Sequence, residues 1–463
     1  MNVNPITRLD YPDPDVIRVE DTYYMVSTTM HFMPGCEILQ SFDLVHWEHV
    51  TYVYETLDHT DAQQLKSGQN IYGQGMWAAS LRYHEGRFYI CFVANDTRKT
   101  YLYTSEKIDG PWKKQLIEGF YHDGSLLFDE DGRNYIVYGN DEIWITELNE
   151  DLTAPKKDGL HRLLVSDHKN PELGYEGSHI QKINGYYYIF LIHSLRDRWM
   201  RTEACFYSDS LEGEFTGGDV LCDDRGYCGQ GVAQGGIVDT PDGKWYAMLF
   251  QDSGAVGRIP VLIPVTWTDH FPVFGQNGHV PEEIEVCSTR PDYTYQPLVG
   301  SDDFHNGLLP RWQFNHDPDP RYYHLDALQG TYTITTREVC TELTQAVNTL
   351  TQRMSYPSCA AEVTVDASAL KEGDVAGLCA LQSCYAAVGI TKHHGKYEVL
   401  MLDKKEDGIL DMTEGTVVES HQMDFRLEAD FCNMKDEARC YYRVNKGDWL
   451  PIGTVHKLYF KLD

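Results

Sequence analysis

Three acids stand out because each opens a similar stretch of chain: Asp13 in DPDVIRVEDTYYMVS, Asp123 in DGSLLFDEDGRNYIVY and Glu176 in EGSHIQKINGYYYIFL. Carboxyls held close together repel, which pushes their pKa values apart and leaves one protonated while another is ionised at the same pH. Cleavage of a glycosidic bond needs that combination, a carboxylic acid at the leaving oxygen and a carboxylate on the other side. Acids at strand starts also serve as turn or cap residues, and each of the three alone reads nearly as well that way. Three at one register weigh toward chemistry. Other chemistries lack their patterns: there is no EF-hand spacing, no HExxH and no GxSxG, P-loop or dinucleotide fingerprint in context. His31, His122, His179 and His193 are dispersed and read as individual supporting or core residues rather than a metal set. The glycine-rich YCGQGVAQGG has no following helix and reads as a loop near an axis.

Two further stretches share the pattern, AASLRYHEGRFYICF from Ala78 and QGGIVDTPDGKWYAMLF from Gln234. Each has two small residues, an apolar run, a Gly or Asp turn and an aromatic run. The pieces EDGR, INGY and PDGK read as two-residue hairpin turns. The five starts lie about 45 to 65 residues apart, the size of a four-stranded propeller blade. An all-β fold is expected, with a five-bladed β-propeller over 1–290; a β-sandwich with coincident turn spacing is the alternative. Innermost strands of a propeller converge on its axis, so Asp13, Ala78, Asp123, Glu176 and Gln234 are expected to meet at one register.

The segment from Glu285 to Phe304 is irregular and rich in Pro, Tyr and Asp, giving a linker at 291–302. Residues 303–463 hold strand-like runs without a helical period (TYTITT, CAAEVTVDA, VAGLCALQ, YAAVGITK, KYEVLMLD, FRLEADF, ARCYYRV, KLYFKLD), which predicts an antiparallel β-sandwich. Ending on a strand-like run, the sandwich is expected to be small or incomplete at its C-terminus.

A formal net charge of −31 disfavours nucleic acid, anionic membranes and acidic polysaccharides, and leaves a small neutral oligosaccharide compatible. No apolar run is long enough for a membrane span, and the first residues lack a signal-peptide pattern. The 12 Cys are scattered without CxxC pairs and read as buried thiols in a reducing compartment, so a cytoplasmic location is expected. Homo-oligomerisation is compatible with the sequence.

The strings YPDPDVIRVEDTYYMVST, GMWAASLRYHEGRFYICF, HDGSLLFDEDGRNYIVYGN and YEGSHIQKINGYYYIF resemble glycoside hydrolase family 43, the β-xylosidases and α-L-arabinofuranosidases with five-bladed propellers. From DDFHNGLLPRWQFNHDPDPRYY onward the chain resembles the concanavalin-A-like sandwich that follows many family members. The resemblance implies an inverting, exo-acting hydrolase of hemicellulose-derived oligosaccharides. In it Asp13 is the general base, Glu176 the general acid, and Asp123 orients the acid and raises its pKa. It also implies that Trp77 and Arg258 border the sugar, with a core Trp and a plain salt bridge as the alternatives. His31, Phe32 and Met33 follow a first-blade strand and are placed at the pocket wall. Many relatives carry His where this chain has Gln234, beside an axial calcium or water cluster. Gln offers calcium only a carbonyl oxygen, which disfavours but still permits an axial calcium; no cofactor is expected to be required and no metal-ligating residue is assigned. A non-catalytic carbohydrate-binding propeller and a retaining fructan-type five-bladed hydrolase are the competing readings.

Overall fold

The computed structural model describes residues 2–459. Its first part consists of five successive antiparallel sheets. Blade I contains Asp15–Val19, Thr22–Val26, Gly35–Ser41 and Glu48–Tyr54; blade II contains Ser80–His84, Arg87–Ala94, Lys99–Ser105 and Lys113–Ile117. Blade III contains Ser125–Phe128, Asn134–Asn140, Glu142–Leu148 and His161–Ser166; blade IV contains Glu176–Ile183, Tyr186–Ser194, Arg201–Ser208 and Thr216–Leu221. Blade V has a split first strand, Val232–Ala233 and Ile237–Asp239, followed by Trp245–Asp252, Arg258–Thr268 and Phe271–Phe274. Second strands such as YYYIFLIHS are buried almost throughout, because the blades stack face to face. Outer strands such as KKQLI are mostly exposed. β-branched and aromatic residues dominate where both faces of a sheet are covered.

The ring closes through the chain start. Ile6 and Tyr11 donate backbone hydrogen bonds to Pro260 and Arg258, and the Asn4 amide pairs with both backbone groups of Leu262 in blade V. Down the axis, Arg82 of blade II bonds Asp15 of blade I (2.9 Å), Ser125 Oγ (2.7 Å) and the Leu126 carbonyl of blade III, and the Ile180 carbonyl of blade IV. One guanidinium thus ties four blades together.

The turns depart from expectation in one respect. Asn184–Gly185 is a two-residue turn with both φ positive. EDGR and PDGK are instead three-residue loops, in which Asp129 and Thr240 each accept from a glycine N–H, that of Gly132 and Gly243. A type I turn followed by a left-handed Gly makes that loop, and the Gly signal alone does not separate the two kinds.

The segment read as a linker is strapped to blade I rather than free. Phe42 N donates to Tyr295 Oη (2.9 Å), Gln296 N donates to Glu48, and Thr289 bonds Asp21 and Phe42 carbonyls. Beyond it, Gln313–Asn315 forms a small sheet with Leu350–Thr351 and with Phe32–Met33 of the propeller. The second part is a two-sheet sandwich. One sheet runs Ser358–Asp366, Gln422–Asp430, Glu437–Arg443, Leu450–Lys457; the other runs Val375–Ala380, Ala386–His393, Lys396–Lys404, Leu410–Met412, with Thr416–Val418 also on Lys396–Lys404. Its core (Val388, Ile390, Met401, Phe425, Leu427) includes Val256 and Ile259 of blade V, so the two parts share buried apolar surface. Among the described residues the last strand is LPIGTVHK; of the run KLYFKLD only Lys457 is in it, Leu458 and Tyr459 are not in a strand, and 460–463 lie outside the described residues.

The cysteines correct a second expectation. All 12 are free thiols, but only Cys36, Cys91, Cys205, Cys384 and Cys440 are buried; Cys222, Cys228, Cys287, Cys340 and Cys432 are exposed.

Candidate active site

Strand pairing defines the register at the propeller mouth. Asp15, Ser80, Ser125 and His179 occupy equivalent rungs, paired with Val26, Cys91, Val137 and Phe190 on the second strands. Two residues earlier stand Asp13, Ala78, Asp123 and Gly177, and Gln234 takes that place in blade V. Asp13, Asp123, Gly177 and Gln234 all have φ between 47 and 65°. Glu176 therefore stands one residue before the register that the repeat suggested, and Gly177 takes the common position. A bulge between Glu176 and His179 adds one residue to the first strand, and the same extra residue recurs in the other blades, where Pro12, Trp77, His122 and Ala233 hold the rung of Glu176.

Gly177 is required there for two reasons. Its φ of +65° belongs to the left-handed region, and a Cβ would stand 2.6 Å from Gln234 Cγ. Its N–H donates to Asp123 Oδ2 at 2.8 Å, so the backbone that carries Glu176 is tied directly to Asp123. Glu176 Oε2 accepts from Asn140 Nδ2 (3.1 Å) and lies 3.2 Å from His122 Nε2, which is also 3.4 Å from Asp123 Oδ2. His122 thus bridges two acids. Asp123's charge first, then its contact with Glu176, pushes the imidazole up to about 9, against the opposing effect of burial. Burial pushes Asp123 up to about 6, partly offset by His122.

Asp13 is held at both oxygens. Thr28 Oγ1 donates to Oδ2 (2.6 Å) and Arg258 Nη1 to Oδ1 (2.9 Å). Arg258 is itself buried and lies over the Phe250 ring, and Asp10 Oδ1 accepts from its backbone N–H. Its Nη1 forms a salt bridge with the acid expected to be the base. Trp77 is half-buried, donates Nε1–H to the Gly73 carbonyl and meets His122 edge-on at 6.0 Å. Gln234 is buried against Gly177, and its N–H donates to Glu203, a carboxyl that burial holds well above its ordinary range.

His31 and Phe32 lie at the seam between the two parts. The two rings are tilted at 33° with centroids 4.2 Å apart, and His31 meets Tyr72 at 4.7 Å and His316, from the second part, at 4.8 Å. Burial pushes His31 down to about 3 and His316 to about 2, so both are neutral. Phe32 pairs with Asn315 in the cross-domain sheet, and Met33 with Phe314.

Sequence reasoning dismissed His122 as dispersed, although it directly precedes Asp123; adjacency to a candidate acid was the available signal. Thr28, Asn140, Asp252 and Arg201 were also missed, since they sit at or just beyond the ends of second and third strands, outside the repeat's opening motif. Among the described residues, the one cluster compact enough for a metal is His122, Asp123 and Glu176, with ligand atoms within 4.8 Å of one another. A protonated His122 makes it a hydrogen-bond donor between two acids rather than a ligand. In the axial layer of Asp15, Ser80, Ser125, His179 and Gly236 the one acid already accepts from Arg82 and from Leu81 N, and His179 Nε2 is buried without a hydrogen-bond partner among the described residues; calcium's six to eight oxygens would there come largely from water.

A β-propeller with acids, a bridging histidine and a buried arginine gathered at the end of its innermost strands has the layout of a glycosidase. The model for glycosyl hydrolases family 43 matches residues 3–272, and that for the β-xylosidase C-terminal concanavalin A-like domain matches 301–461; the chain belongs to glycosyl hydrolase family 43. A bifunctional GH43-CE protein of Bacteroides eggerthii superposes with a TM-score of 0.92 at 41% identity, covering 99% of this chain and 59% of that one. A β-xylosidase of Formosa agariphila is 27% identical over 87% of this chain and 76% of its own. A non-reducing end α-L-arabinofuranosidase of Bacteroides ovatus is 24% identical over 89% of this chain and 79% of its own.

Proposed function

We propose that the chain is an exo-acting, inverting glycosidase that releases terminal xylose or arabinofuranose from hemicellulose-derived oligosaccharides. The observation that carries this reading is the gathering of Glu176 and Asp123, in which Gly177 N–H anchors the backbone of Glu176 to Asp123 and His122 bridges the two carboxyls. Glu176 protonates the leaving oxygen as general acid. Asp13, fixed by Thr28 and Arg258, removes a proton from the attacking water as general base. Asp123 and His122 position Glu176 by the Gly177 bond and the imidazole bridge. Trp77 borders the sugar ring with an aromatic face, Arg258 bonds its hydroxyls, and Phe32 with His31 walls the far side. The names of the F. agariphila and B. ovatus relatives support the two pentoses. No metal takes part in this scheme, and a cytoplasmic location follows only from the sequence pattern.

The test compares turnover of para-nitrophenyl β-D-xyloside and α-L-arabinofuranoside by the native chain, Asp13→Asn and Glu176→Gln. Turnover of at least one by the native chain, lost roughly 10²–10⁴-fold in each variant, is expected. Binding of xylo-oligosaccharides without turnover identifies a binding propeller instead.

A further inference from the structure

Beside the catalytic acids lies a cation that the scheme above does not use. Arg201 begins the third strand of blade IV and is paired with Ser194, on the blade that carries Glu176. Its side chain is only 9% exposed. The Nε lies 2.6 Å from Asp252 Oδ2, and the other oxygen of Asp252 lies 3.4 Å from Arg258 Nε. Arg258 in turn contacts Asp13. An ion chain Arg201–Asp252–Arg258–Asp13 therefore runs from blade IV through blade V to blade I at the mouth.

Arg201 is underused as a donor. A guanidinium has five N–H groups, and a buried polar group without hydrogen bonds is costly. Yet among the described residues the Arg201 Nε has no hydrogen-bond acceptor, its contact with Asp252 being an ion pair without hydrogen-bond geometry, and no other described group accepts from its guanidinium. The flat face of the group is covered instead: its carbon lies 5.1 Å over the Trp199 ring and 5.4 Å over Phe250. Trp199 is 46% exposed, the most open Trp at this mouth, and it stands beside a buried donor whose charge interacts with both Glu176 and Asp13. An exposed indole next to unused donors matches a sugar ring, which has an apolar face and hydroxyls at its edge.

We propose that Trp199 and Arg201 form the subsite for the leaving-group sugar, the indole stacking on a neutral pentopyranose unit and the guanidinium donating to its hydroxyls. The assignment rests on the glycosidase reading. The departing sugar lies on the general acid's side of the bond, and Trp199 and Arg201 belong to the general acid's blade. In an exo-acting enzyme that sugar also faces the open mouth, where Trp199 is exposed, while the terminal sugar lies among buried groups. Asp252 orients both arginines and so couples the two sugar positions.

The experiment compares kcat/KM for a pentosyl disaccharide with that for the matching glycosyl fluoride, whose leaving group carries no sugar. Wild type, Trp199→Ala, Trp199→Phe, Arg201→Gln and Arg201→Lys are measured on both. The disaccharide-to-fluoride ratio is expected to fall about tenfold in Trp199→Ala and in Arg201→Gln, the range of one lost charged hydrogen bond or stacking contact. Trp199→Phe restores most of its loss. Arg201→Lys keeps a cation for Asp252 and still lowers the ratio, because it lacks the planar fork. Equal losses on both substrates, or an unchanged ratio, overturn the subsite while leaving the glycosidase reading in place. Failure of the wild type to turn over either substrate overturns that reading and the subsite with it.

Discussion

Replacing Asp123 by Asn tests the electrostatics of the mouth, because Asp123 is the largest cause of the raised pKa of His122. His122 is largely buried, with 21% of its side chain exposed, so solvent screens the interaction only in part. A folded value of about 9 against an ordinary 6.5 corresponds to about 3 kcal/mol of linked stability. Because the folded pKa is the higher one, that stabilisation is fully present below pH 6.5 and is lost as pH rises through about 9. Asp123 itself, pushed up to about 6, is ionised across that window. The assay is NMR titration of the His122 ring in selectively labelled protein, assigned with His122→Gln, alongside urea unfolding at pH 6.5 and 9.5. The wild-type ring is expected to titrate near pH 9 and to move down by more than one unit in Asp123→Asn. The stability difference between the two pH values is expected to shrink with it. A wild-type His122 that titrates near 6.5, or one indifferent to Asp123→Asn, refutes the bridge.

Other outcomes follow from the same geometry. Gly177→Ala places a Cβ against Gln234 at a left-handed φ, displacing the Gly177 N–H from Asp123; a loss of about 1–3 kcal/mol in urea unfolding and a fall of kcat larger than any rise in KM are expected. Thr28→Val removes the hydroxyl donor to Asp13 without changing side-chain volume much, and is expected to lower kcat/KM on an aryl pentoside by about tenfold. His316→Ala withdraws the second part's ring from His31 and the acceptor from Ile71 N. Raised KM with a lowered melting temperature checks that the sandwich braces the Phe32 wall.

The propeller was legible because its hairpins repeat: a small pair, an apolar run, a Gly or Asp turn and an aromatic strand recur five times, and each marks an inner strand. Asp13 and Asp123 were legible for the same reason. Glu176 was found by its residue type, but at a register one residue off, since EGS matches DGS as a string although His179, not Ser178, shares the rung of Ser125. Arg201, Asp252 and Asn140 lie at the ends of second and third strands, where the repeat has no motif and only three-dimensional convergence reveals them. His122 was visible but was judged as a member of a histidine set, when its relevant neighbour was the next residue. The pairing of Phe32–Met33 with Gln313–Asn315 joins positions about 280 residues apart, and two- and three-residue strands carry too little periodicity to be read. Among the described residues the final strand, LPIGTVHK, was missed because its Pro and Gly argue against a strand, whereas KLYFKLD alternates well and, past Lys457, is not one where it is described.

The central claim is a single displacement at the anomeric carbon, with Asp13 activating water and Glu176 protonating the leaving oxygen. Proton NMR of the first product formed from an aryl β-D-xyloside, recorded before mutarotation, tests it most directly. The account predicts α-xylose as the initial product, and β-xylose formed first contradicts it.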